Sequence, residues 1–203
     1  MMGTAENQLE LLRSLGDELA PLPADPSRIT KEFIDTASKD QLLRGGLLVA
    51  LGGTLARQPF ESASLILESA ELGRVETIAV AKGIAEQADS LEDPGSWIGW
   101  LHANSLEADR EENVSNVVRR WTSNDFRATA SWIGRQPPGP LRERATRSFA
   151  ETVAPHEPAS AAEWALTLPA SQQRTDLLRS IHARWKGKDE EAAAAFAARH
   201  GLE

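Results

Sequence analysis

The segments DPGSWIGWLHAN (93–104), DFRATASWIGRQ (125–136), EPASAAEWALTL (157–168) and DEEAAAAFAARH (189–200) align without gaps, each beginning 32 residues after the one before. An acid opens every segment (Asp93, Asp125, Glu157, Asp189), a small residue holds the fourth column (Ser96, Ala128, Ser160, Ala192), and a large aromatic holds the eighth (Trp100, Trp132, Trp164, Phe196). Self-similarity at a fixed period of this size is the mark of a repeat architecture, in which each unit is one supersecondary element.

A second series runs at the same period behind the first three segments: Val114, Thr146, Leu178; Val117, Phe149, Ile181; Val118, Ala150, His182; and Trp121, Val153, Trp185. Within a unit these positions are spaced i, i+3, i+4, i+7, which is one face of an α-helix. Breakers separate the two series, with Asn104-Ser105, Pro137-Pro138-Gly139-Pro140 and Pro169 in successive units. Each unit therefore reads as short helix, turn, longer helix. The opening acids suit helix N-termini, where they cap free N–H groups or oppose the dipole, and Pro94 and Pro158 suit the first turn. A hairpin of this length cannot bury its apolar face alone, so units must stack. The expected fold is all-α, a solenoid of stacked helical hairpins of about 32 residues, with Asp189–His200 as a lone C-terminal capping helix.

The pattern Trp164 to Leu168-Pro169, followed by Arg174, resembles short bacterial helical-hairpin repeats of mostly uncharacterised role, in the wider TPR-like and HEAT-like class. It departs from TPR units, whose period is 34, and from the longer HEAT units. The resemblance implies a right-handed stack and a scaffold role.

Upstream the period fades, which divides the chain into 1–26, 27–92 and 93–203. Gln58-Pro59 resembles Glu157-Pro158 and would place Leu65 in the aromatic column. Helices are expected over 59–71 and 74–89, the second with Val75, Ile78, Ala79 and Ile84 on one side and Gly73 as the turn before it. The stretch from Asp40 to Arg57 reads as a helix through Leu43, Leu47, Leu48, Leu51 and Leu55, although it contains Gly45-Gly46 and Gly52-Gly53. Glycines seven apart thin one face, so a neighbouring helix is expected to approach closely there. An amphipathic helix over 5–20 and a linker holding Pro21, Pro23 and Pro26 read as an N-terminal cap.

The chain of 203 residues has no cysteine and a formal net charge of −8. Residues 1–103 carry 8 basic and 16 acidic side chains, whereas residues 104–203 carry 14 of each. This balance disfavours general nucleic-acid binding, because an acidic chain repels phosphate backbones. No apolar run approaches a membrane span and no signal-peptide core opens the chain, so it reads as soluble.

No phosphate-binding loop, dinucleotide fingerprint or HExxH pattern occurs, and the four histidines, His102, His156, His182 and His200, form no i, i+4 pair. No cofactor, metal or catalytic residue is expected. His182 stands in a column otherwise held by Val118 and Ala150, where a buried neutral ring is the expectation. Arg110, Arg142 and Arg174 recur at the period, as do Arg147 and Arg179. These arginines pair with the acid column of neighbouring units, line a binding row for acidic peptide or phosphate groups, or are simply solvated. The candidate partner-binding residues are Arg142, Arg147, Arg174 and Arg179, with Trp97 or Trp121 as an exposed anchor. A protein or peptide partner, acidic in character, fits this reading. The alternative is an enzyme or a DNA-handling HEAT-like protein with its site near His182 and the arginine rows.

Overall fold

A computed structural model of the chain describes residues 41–202. The expected helix over 5–20 and the proline segment at Pro21, Pro23 and Pro26 lie outside the described residues. Among those described, the chain is all-α, with ten α-helices, one 3-10 turn and no strand. Its contacts divide it between Asn113 and Val114 into two compact units.

The first unit contains α1 (Gln41–Leu55), α2 (Phe60–Ser69), α3 (Arg74–Glu86), the 3-10 turn Ala88–Ser90, α4 (Pro94–Asn104) and the start of α5 (Glu107–Asn124). α1 packs on α3 at backbone contact. A Cβ added to Gly52 would overlap the Val80 carbonyl, and one added to Gly83 would overlap the Val49 carbonyl. Of the glycines seven apart in α1, Gly52 stands at this contact, whereas a Cβ on Gly45 would meet nothing within 4 Å. The two glycines let Leu47, Leu48, Leu51 and Leu55 of α1 bury fully beside Val80, Ala81 and Ile84 of α3. Glu76 fastens the other end of this pair. One carboxylate oxygen accepts the Gly73 N–H at 2.8 Å, which caps α3, and the other accepts Arg44 Nε of α1 at 2.6 Å.

Two expected core positions face solvent. Val75 is 81% exposed because it lies about 140° around α3 from Val80, at 100° per residue. Leu65 is 66% exposed, since Ala63 and Ile66 take the buried side of α2. Leu65 therefore does not extend the aromatic column.

The second unit contains the remainder of α5, then α6 (Phe126–Arg135), α7 (Pro140–Val153), α8 (Pro158–Leu166), α9 (Gln172–Lys186) and α10 (Glu190–His200). The short helices α4, α6, α8 and α10 begin at Pro94, Phe126, Pro158 and Glu190, 32 residues apart. Their starts follow from the acid column. Asp93, Asp125 and Asp189 accept the N–H groups of Ser96, Ala128 and Ala192 at 3.2, 2.9 and 3.0 Å. Glu157, one methylene longer, instead accepts the Ser160 hydroxyl, and Pro158 starts its helix. Before α7, Gly139 at φ 151° makes the entry turn that a side chain would strain. Asp125→Ala and Asp189→Ala should each lower stability by about 1 kcal/mol in chemical denaturation, the usual cost of losing an N-cap. Glu157→Ala should cost less.

The aromatic column lies at the rim of the core. Trp132 packs on Trp121 with ring centroids 5.8 Å apart, Trp164 on Phe149 at 5.0 Å, and Phe196 on Trp185 at 5.3 Å. Trp132 and Trp164 remain half-buried, while the next column, Ile133, Ala165 and Ala197, is buried. Each of these three rings thus meets an aromatic of the preceding long helix, and Phe196 is itself buried. On the long helices, Val117, Val118, Thr146, Phe149, Ala150 and Ile181 are buried as their columns predict.

His182 departs from its column and is half-buried. It lines a groove of about 280 Å³ facing α10, which offers the small Ala194, Ala197 and Ala198 there beside Glu190. The expected buried ring is thus replaced by one open to solvent on one side.

Candidate interaction face

The recurrent arginines have local backbone partners. Arg110 donates to the Ser105 carbonyl at 3.4 Å, Arg142 to that of Gln136 at 3.3 Å, and Arg174 to that of Leu168 at 3.0 Å. In every case the acceptor lies at or just beyond the C-terminal end of the preceding short helix, where carbonyls lack intrahelical donors and the dipole favours a cation. Arg110 also pairs with Glu107. None of the three pairs with Asp93, Asp125, Glu157 or Asp189, whose carboxylates face their own helix starts. Replacing both Arg142 and Arg174 by Met, which keeps the apolar stem, should lower stability by about 1 kcal/mol per site in denaturant titrations.

The other candidate residues separate. Arg147 is half-buried and donates to Gln173 Oε1 at 2.7 Å, linking α7 to α9. Arg179 is exposed and paired with Asp176 one turn away at 3.4 Å. Trp97 has no exposed surface and packs edge-on against Phe60 and Trp100, so it cannot serve as an exposed anchor. Trp121 is half-buried against Trp132.

The long helices of the second unit form two grooves on one face. The first, of about 370 Å³, is lined by Asn116, Arg119, Arg120 and Ser123 of α5 and by Glu151 and Thr152 of α7. The second, of about 470 Å³, is lined by Arg147 and Glu151 of α7 and by Gln173, Asp176, Ser180 and Arg184 of α9. Glu151 belongs to both, so the grooves are contiguous. Beneath them the Ser148 hydroxyl donates to that of Ser115 at 2.8 Å, a buried bond joining α7 to α5. With the Arg147–Gln173 bond, this fixes the spacing of the three helices.

Arg119 and Arg184 are exposed, and neither forms an ion pair among the described residues. Sequence columns missed them because the period aligns Arg119 with Glu151, and Arg120 with Thr152 before Arg184. The available signal was polar recurrence on the helix face opposite the apolar columns, not identity within a column.

Elsewhere, His182 shares its groove with Lys186 and Glu190, and no arginine lines it. Among the described residues no three His, Asp or Glu side chains gather as a metal site, and no helix is long and apolar enough to cross a membrane. Fold and grooves define the class as an all-α protein with an open polar face. No family model, curated protein or solved structure matches the chain.

Proposed function

We propose that the chain is a non-catalytic protein-interaction scaffold, built as a right-handed solenoid of helical hairpins of the TPR-like and HEAT-like class with about 32 residues per unit. The contiguous pair of grooves across α5, α7 and α9 carries this reading. Repeated units place equivalent side chains in rows, so a solenoid presents an extended face without needing a deep pocket. The regular helix starts, the repeated aromatic pairs and the resemblance of the 164–174 stretch to bacterial hairpin repeats support it.

A photoreactive amino acid at Ser123, in the first groove, should yield a discrete protein adduct in cells. The same group at Glu163, exposed on α8, should not. Identical adduct patterns from both positions, or none from Ser123, would count against a scaffold acting through this face.

A further inference from the structure

We infer that the α5–α7–α9 face takes an acidic, extended peptide in the polyproline II conformation, with carboxylates three residues apart. This rests on the scaffold reading and names the chemistry of its partner. Each groove offers an exposed guanidinium: Arg119 in the first and Arg184 in the second. Arg120 and Arg147 add positive charge beside them, against Glu151 and Asp176. The face therefore has a basic excess in a chain whose net charge is −8.

Spacing selects the ligand conformation. Helices packed side by side have axes about 8–10 Å apart, which sets the step from one groove to the next. A polyproline II chain rises about 3.1 Å per residue with three residues per turn, so side chains at i and i+3 share a face about 9 Å apart. One carboxylate then falls in each groove. A β-extended chain repeats on one face after two residues, about 6.6 Å, and misses the second groove. A helical ligand is about 10 Å wide and would ride over grooves of 370 and 470 Å³ without entering them. Glu151, which lines both grooves, opposes the continuous negative charge of a nucleic acid but tolerates two separated carboxylates.

Fluorescence anisotropy of the full chain with labelled (Glu-Pro-Pro)4 tests the assignment. Binding at low salt should be at least tenfold tighter than for (Gln-Pro-Pro)4 and for a peptide with four glutamates at every second position. Arg119→Gln with Arg184→Gln should weaken it at least tenfold while the circular-dichroism melt stays unchanged, since both side chains are exposed. Raising salt from about 0.05 to 0.3 M should weaken binding severalfold. Equal affinity for the glutamate and glutamine peptides, indifference to the double variant, or tighter binding of a single-stranded DNA oligonucleotide of equal charge would overturn the assignment. If these peptides fail while the Ser123 position still yields its specific adduct, the peptide assignment falls and the scaffold reading stands. If both fail, both fall.

Discussion

Gly83→Ala should lower stability by about 3 kcal/mol, although alanine gains about 1 kcal/mol over glycine in helix propensity. The new methyl group would occupy the position of the Val49 carbonyl, and backbone on both sides leaves no flexible side chain to yield. Helix α1 must then move outward, with loss of packing around Leu48, Leu51 and Ile84. Gly52→Ala should act alike, through the Val80 carbonyl. Because either methyl group alone separates the same two helices, the double variant should lose less than the sum of the singles. Gly134→Ala in α6 reverses the sign: nothing lies within 4 Å of its added Cβ, so a gain of up to about 1 kcal/mol is expected. Urea titrations of all four variants read both signs on one scale.

Trp97→Ala should cost about 3–5 kcal/mol, the range for deleting a fully buried large aromatic. Trp97 has no exposed surface, and its ring centroid lies 5.0 Å from that of Phe60 and 5.9 Å from that of Trp100. Its indole N–H has no hydrogen-bond partner among the described residues. Trp97→Phe therefore loses volume but removes an unsatisfied buried donor, and should cost less than half as much. Trp121→Ala, at a half-buried site, should cost about 1–2 kcal/mol. Equal melting temperatures for Trp97→Ala and Trp121→Ala would contradict their different burial.

Helix starts and core faces were legible because each depends on one side chain at one position. Asp125 and Asp189 cap, Ile133 and Phe149 bury, and the 32-residue spacing carries both signals. The arginines were harder to read because their acceptors are main-chain carbonyls at helix ends, to which every sequence contributes alike. The α1–α3 contact was only half legible: the glycines of α1 mark a thin face, but their partner is backbone, and Gly83 alone in α3 carries no pattern. Tryptophan burial was also hidden, since Trp97 and Trp121 differ by what packs over them. The proposed binding residues escaped the columns because Arg119 and Arg184 fall on different repeat positions.

The proposed stack of equivalent hairpins is tested most directly by removing one whole repeat. Deleting 125–156 joins Asn124 to Glu157, so an opening acid again follows the long helix α5 in phase. If successive units are interchangeable neighbours, the shortened chain keeps its helicity per residue and melts in a single cooperative transition at a lower temperature. Loss of helicity per residue, or a melt without a cooperative transition, would contradict the repeat architecture.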